Sequence, residues 1–174
     1  YLVTGGAWFI GSHLVERLVA DSHRVRVLDN FSTGKRANLV DVVASPSLEV
    51  IEGDIRDGKQ VERAVVGVDG IFHLAALVSV QQSVENPYLC FDINARGSVN
   101  LLDAARRAGV EHLVLASSAA VYGDVNAPPL REFMQPKPMS PYALDKLYME
   151  QASAMYSALY GMDTTLLRFF NVYG

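Results

Sequence analysis

A single cysteine, Cys90, in a chain of 174 residues excludes an internal disulfide and fits a reducing, cytoplasmic setting, where a lone thiol usually serves as a small buried hydrophobe. No apolar run approaches the ~20 residues needed to span a bilayer, and no basic-apolar-small segment opens the chain as a signal peptide would. A basic excess is missing too. Lys and Arg number 15 against 19 Asp and Glu, a formal net charge of -4, and the charges are dispersed, so neither nucleic acid nor an anionic membrane is an expected partner. No internal repeat or low-complexity tract occurs. No cluster of His, Cys and carboxylates has metal-ligand spacing, so no metal is expected. What the chain does have is a hydrophobic half, 50% of its residues, in a length that suits one domain with one sizeable core.

Short apolar runs alternate with longer helical patterns, the signature of βαβ units on a parallel sheet. Strands are predicted at Tyr1–Thr4, Arg24–Asp29, Leu48–Glu52, Gly70–Ala75, His112–Ser117 and Thr164–Phe169. Helices are predicted at Ile10–Asp21, Lys35–Ala44, Gly58–Val66, Asn86–Ala108 and Pro141–Tyr160, the last with Ser140 as N-cap and Pro141 at N1. Gly123–Pro138 carries four of the seven prolines and reads as a surface loop. The expected fold is therefore α/β: a Rossmann-type, doubly wound parallel sheet of about six strands with helices on both faces. The chain begins inside the apolar run Tyr1-Leu2-Val3 without Met and stops at Gly174 just after a strand-like run. That predicts a longer parent protein in which a substrate-binding domain follows residue 174.

The loop Thr4-Gly5-Gly6-Ala7-Trp8-Phe9-Ile10-Gly11 follows a strand and opens a helix, the context a dinucleotide-binding fingerprint requires. Gly5 permits the tight turn, Gly11 permits close packing of helix on strand, and the helix N-terminus offers free N–H groups to a pyrophosphate. Asp29 ends the second strand, where a carboxylate can accept from ribose hydroxyls and repel a 2′-phosphate, which favours NAD over NADP. A solvated loop aspartate is the plainer alternative. Asp54-Ile55 and Leu74-Ala75-Ala76 close the next two strands and belong near the same ligand, because ligands bind outside the carboxyl ends of strands. His73 lies within a strand and reads as a core histidine.

Tyr142 and Lys146 stand one helical turn apart, downstream of Ser117-Ser118. A phenol with a reference pKa of about 10 must fall by roughly three units to act as a base at neutral pH. An ammonium at i+4 and a cationic nicotinamide ring can supply much of that fall. The pair alone arises by chance in a chain with eight Tyr, and Ser117-Ser118 alone could be a strand-end pair bonded to backbone. The glycine loop, the serines and the pair in this order point to redox chemistry on a nicotinamide cofactor.

On these motifs the chain resembles the extended short-chain dehydrogenase/reductase superfamily, and within it the NAD-dependent nucleotide-sugar epimerase/dehydratase family. The likeness runs from Leu2 to Gly174 and includes Thr4–Leu14, Asp29–Gly34, Gly53–Asp57, His73–Ala76, Asn94, Ser117–Gly123, Ser140-Pro141-Tyr142 with Lys146, and Arg168–Asn171. The resemblance implies NAD as cofactor, lined by Phe9, Ile10, Asp29, Asn30, Phe31, Ser32, Thr33, Gly34, Asp54, Ile55, Leu74, Ala75, Ala76, Leu77, Val78, Asn94, Tyr142, Lys146 and Phe170. It implies a nucleotide-sugar substrate, a UDP-sugar foremost, faced by Ser118, Tyr142 and Asn171. The catalytic set it implies is Ser118, Tyr142 and Lys146.

One position departs from the family pattern, since Trp8 stands where the middle glycine of the loop is expected. That predicts either a loop pushed outward or an indole in the phosphate space, with a backbone cost of about 1–3 kcal/mol if the position needs φ > 0. Ala119-Ala120 stands where family dehydratases resemble an Asp-Glu pair that moves protons at C5 and C6 of the sugar. Two methyl groups can do neither, so 4-epimerisation through a transient 4-keto sugar is favoured over dehydration or simple ketone reduction. A catalytically silent nucleotide-binding or dimerisation module is the reading from another class. Finally, Pro141–Tyr160 is apolar on more than one stripe. That predicts either burial by a following domain or a homodimer through helices 86–108 and 141–160, as related enzymes commonly form.

Overall fold

The computed structural model describes residues 1–124 and 128–174. The predicted loop at Gly123–Pro138 thus lies partly outside the described residues. Six parallel strands form one sheet in the order β3-β2-β1-β4-β5-β6. They are β1 (Leu2–Thr4), β2 (Val25–Asp29), β3 (Leu48–Glu52), β4 (Gly70–His73), β5 (His112–Ser118) and β6 (Asp163–Phe169). The order reverses between β1 and β4, and a doubly wound sheet opens its ligand crevice at such a switch point.

Neighbouring residues of the central strands point into different cores. Leu2 and Leu28 belong to one cluster with Val61, Leu101, Leu102 and Met149, whereas Val3 and Val27 belong to another with Val15, Leu18 and Leu39. Burial on both faces is why these strands read as continuous apolar runs instead of alternating ones. The first cluster is covered by α2 (Gly58–Ala64), α5 (Gly97–Ala108) and α6 (Pro141–Tyr160), the second by α1 (Phe9–Ala20).

The helix expected at Lys35–Ala44 is only a 3₁₀ turn, Arg36–Leu39, followed by further turns. Val40, Val42 and Val43 are β-branched and weaken a helix. The buried pair Leu39 and Val42 has the i, i+3 spacing that a 3₁₀ turn eclipses. Asn38 meanwhile directs its side chain to the carbonyl of Ala7, at 2.9 Å. A short helix that was not expected, α3 (Val80–Glu85), is capped by Ser79, whose hydroxyl accepts from the N–H of Gln82 at 3.2 Å. The long helix expected at Asn86–Ala108 is three pieces: α4 (Pro87–Phe91), a π-helical turn at Asp92–Arg96, and α5.

α6 keeps its predicted bounds. Ser140 accepts from the N–H of Ala143 at 3.2 Å, Pro141 occupies the first turn, and Gly161 closes the helix at φ +71°. Tyr142, Lys146, Met149, Ser153 and Tyr156 form its buried stripe. Leu144, Tyr148, Met155 and Leu159 are exposed, and their spacing of four, seven and four residues puts them on a second stripe roughly opposite the first. Among the described residues no helix is long and apolar enough to cross a membrane.

Candidate active site

The glycine loop is built by exclusion of side chains. Gly5 sits at φ +70°, and a Cβ there would come within 2.7 Å of the Ala75 nitrogen. A Cβ on Gly11 would meet the Gly5 carbonyl at 2.2 Å, so α1 and the end of β1 touch only because both residues are glycine. Trp8, between them, has φ -105° and ψ -177°. That is ordinary extended backbone, so the conditional strain at this position does not arise. Among the described residues, the N–H groups of Phe9, Ile10 and Gly11 meet no backbone acceptor. Three free donors at the head of a twelve-residue helix form an anion-binding terminus.

Beside this terminus lies a cleft of about 480 Å3 lined by Asp29, Asn30, Ser32, Thr33, Asp54 and Ile55 on one wall and by Leu74, Ala75, Ala76, Leu77 and Val78 on the other. Asp29 is buried, and both its oxygens already hold the loops. Oδ2 accepts from the N–H of Ala7 at 2.9 Å and Oδ1 from the N–H of Phe31 at 2.8 Å. A carboxylate has about four lone-pair sites, so two remain for a ligand. The plainer alternative of a solvated loop aspartate is thereby removed. Asp54 is pinned by Arg56 at 2.7 Å and by Asn30 at 2.9 Å, and hydrogen bonding to Arg56 holds its carboxyl down at about 2.

The far wall is fixed from behind. Thr4 Oγ1 accepts from the N–H of Ala75 at 3.2 Å and contacts His73 Nδ1 at 2.7 Å, while His73 Nε2 contacts Ser98 Oγ at 2.9 Å. Ser98 gives its proton to the Asn94 carbonyl at 2.5 Å. Nε2 must therefore be the donor to Ser98, and Nδ1 the acceptor from Thr4. His73 is a neutral core histidine, held down at about 3 chiefly by burial and further by the Lys146 charge.

A second cavity of about 430 Å3 adjoins the first across Gly5, Trp8, Leu74, Ala76 and Val78. Into it project Ser118 from the end of β5, Tyr142 and Lys146 from α6, Phe9 and Ile10 from α1, and Phe170 and Asn171 beyond β6. Ser118 Oγ accepts from the N–H of Ala120 at 3.1 Å. Lys146 Nζ donates to the Ala116 carbonyl at 2.7 Å. Burial lowers its ammonium to about 8, still mostly protonated at neutral pH. Burial raises the Tyr142 phenol above its ordinary value, against the downward pull of the Ser118 hydroxyl. The expected lowering by Lys146 is absent from the chain alone, because Nζ stands 6.0 Å from the ring centroid and is directed at a carbonyl. Tyr142 and Lys146 are the titratable groups of this cavity among the described residues.

The sequence pattern of the NAD dependent epimerase/dehydratase family matches residues 1–174. The chain belongs to this family. A UDP-glucose 4-epimerase of Mycolicibacterium smegmatis is 43% identical over 99% of this chain and 56% of its own length. The crystal structure of a Thermus thermophilus UDP-glucose 4-epimerase in complex with NAD is 45% identical, with a TM-score of 0.92 over 99% of this chain and 55% of that one. A dTDP-glucose 4,6-dehydratase from Streptomyces venezuelae, solved with NAD bound, is 39% identical, with a TM-score of 0.95 over 99% of this chain and 56% of that one. The chain spans about half the length of the curated relatives it matches.

Three residues that the family resemblance implies for the cofactor, Phe31, Gly34 and Asn94, are not among those lining the two cavities. Phe31, at φ +55°, lies beneath the guanidinium of Arg36, 4.3 Å from its ring centroid, and packs against the core cluster of Val3 and Val27. Gly34 is buried against Ala7 and Asp29, where a Cβ would meet both at 3.0 Å. Asn94 lies on the π turn and lines neither cavity. Its amide instead holds the backbone of Leu77, which does. Ser79, Gln82, Leu89 and Ile93 line the first cavity unanticipated. The signal for the first two was the Ser-x-x-Gln of a capping box.

Proposed function

We propose that the chain is the cofactor-binding portion of an NAD-dependent nucleotide-sugar 4-epimerase acting on a UDP-sugar. The observation that carries this reading is the composition of the second cavity, where Tyr142 and Lys146 are the titratable groups among the described residues. Removing water across C5 and C6 of a sugar needs a further proton acceptor and a donor for the departing hydroxyl. Ala119 and Ala120, which follow Ser118 in a 3₁₀ turn, offer neither. Inverting C4 needs only one proton carrier and one hydrogen-bond donor.

The free N–H groups at the head of α1 fit a pyrophosphate, and the cleft beside Asp29 and Asp54 fits an adenosine. NAD bound there supplies a hydride acceptor and returns the hydride. The chain's own residues do the rest. Tyr142 as phenolate takes the proton of the sugar 4-hydroxyl, and Lys146 beside it favours that charge once the site is filled. Ser118 donates to the oxygen as it becomes a ketone, and Asn171 faces the sugar. When the proton returns from Tyr142 to the opposite epimer, no net oxidation remains.

Two copies pair through the exposed stripe of α6 together with Tyr88 and Phe91 of α4, both exposed. Within the segment 86–108, Leu101 and Leu102 of α5 are in the core, so the large apolar side chains it offers to a partner are Tyr88 and Phe91.

The test is product analysis with UDP-glucose and UDP-N-acetylglucosamine, using the chain extended to the length of its relatives. A 4-epimer of unchanged mass supports the reading. A product lighter by one water makes the protein a dehydratase, and consumption of added NADH makes it a reductase.

A further inference from the structure

Trp8 is the residue that lines all three cavities around the head of α1: the adenosine-side cleft, the reactive cavity, and an outer groove of about 400 Å3 between α1 and the segment 33–41. The first two meet at Trp8, immediately before the free N–H groups of Phe9, Ile10 and Gly11. A dinucleotide spanning both must carry its pyrophosphate across this junction. Among the described residues the indole makes no hydrogen bond. It is 39% exposed, its residue is the N-cap of α1 without a side-chain capping bond, and among the described residues it stacks on no ring. Its backbone is unstrained, so removal of the side chain relieves no strain and breaks no cap.

We infer that the Trp8 indole is a movable partition across the cofactor cleft, which must leave the junction before a dinucleotide can span it and which the outer groove receives. The groove suits an indole. It carries the aromatic side chains of Phe9 and His13, and Glu16 and Asp41 as acceptors for the indole N–H. Its volume lies in the range of cavities that hold small ligands. The consequence is selective. A ligand confined to the adenosine side is unaffected by the partition, whereas a full dinucleotide is weakened by the cost of moving it or by the loss of a charge-assisted bond to the loop.

This inference rests on the NAD-binding reading above, and the experiment separates the two. Adenosine and NAD are titrated calorimetrically into the wild-type chain, Trp8→Ala and Trp8→Gly. The alanine form keeps the backbone conformation without the flexibility of glycine. Trp8 is the sole tryptophan, so emission in the wild type reports changes in the surroundings of this indole alone. Expected is NAD binding at least about tenfold tighter in both variants, adenosine binding equal in all three forms, and a change in Trp8 emission on adding NAD but not adenosine. Equal NAD affinities, or weaker binding by the variants, overturn the partition while leaving the cofactor reading intact. An equal tightening of adenosine also overturns it, since the effect would then belong to the whole loop. Absence of NAD binding in both variants overturns the reading and the inference together.

Discussion

Asn94 holds the backbone of Leu77 from both sides, its amide oxygen accepting the Leu77 N–H at 2.8 Å and its amide nitrogen donating to the Leu77 carbonyl at 2.9 Å. The same nitrogen reaches Cys90 Sγ at 3.3 Å. A side chain that pairs with both backbone groups of a residue outside any strand helps keep the Leu74–Val78 wall of the cleft in place. Its position on a π turn explains how it gets there, since the extra residue per turn re-aims one side chain out of the helical series.

Asn94→Ala should therefore destabilise the chain by about 1–3 kcal/mol, because two backbone groups of a part-buried segment lose their partners. Urea unfolding should show a lower midpoint with the slope unchanged. Asn94→Asp should fall between the two, as it restores the acceptor but not the donor. A midpoint within error of wild type for the alanine form would mean that water replaces the amide.

His73 predicts a pH signature. Its folded value of about 3 lies below the unfolded value near 6.5. Between the two the unfolded chain binds one more proton, so stability is fully present above about pH 6.5 and is lost as pH falls toward 3, by up to about 1.4 kcal/mol per pH unit. The Glu150 carboxyl acts in a lower window. Burial raises it, but Arg168 at 2.7 and 2.9 Å and the Ser117 hydroxyl outweigh that, and the net shift is downward. Its contribution is lost only as pH falls below the ordinary carboxylate range. Denaturation midpoints from pH 7 to pH 5 should thus decline in wild type and stay flatter in His73→Gln. Parallel declines would assign the effect to other groups.

Burial raises the Tyr142 phenol in the chain alone, so a role in proton transfer would need the charge of the bound cofactor to bring it down. Tyr142→Phe, in the chain extended to the length of its relatives, should lower turnover by about 10²–10⁴-fold while leaving NAD affinity nearly intact. A variant retaining most of the wild-type rate would remove Tyr142 from proton transfer.

What the sequence made legible follows from which forces act locally. α6 was readable to the residue because Ser140, Pro141 and Gly161 act on their own backbone. The strands were readable because apolar runs buried on both faces have few alternatives. The bonds of Asn94 to the Leu77 backbone were not legible, since a side chain aimed by a π turn obeys no helical period. Asp29 was read as a ribose acceptor without the two N–H groups that hold it, because those bonds depend on how the loops fold around the carboxylate. Trp8 was the reverse case, where a glycine pattern suggested φ > 0 and the actual φ of -105° removes the backbone objection and leaves only the volume of the indole.

The two stripes of α6 supply the remaining prediction. One packs Tyr142, Lys146 and Met149 inward, and the other leaves Leu144, Tyr148, Met155 and Leu159 at 57, 44, 51 and 65% exposure, next to Phe91, whose ring centroid lies 6.3 Å from that of Tyr148. If two copies pair across this surface by a two-fold axis, every substitution enters the interface twice. Leu144→Glu then buries two unpaired carboxylates, or forces them apart, and should weaken dimerisation by at least about 100-fold. The same change should leave the circular dichroism of the separated chain untouched, because an exposed side chain supports no internal packing. Analytical ultracentrifugation should find wild type at twice the chain mass and Leu144→Glu at the single mass. A wild-type monomer at every concentration would leave the stripe without a second copy to cover it, and a variant that keeps the double mass would place the interface on another face.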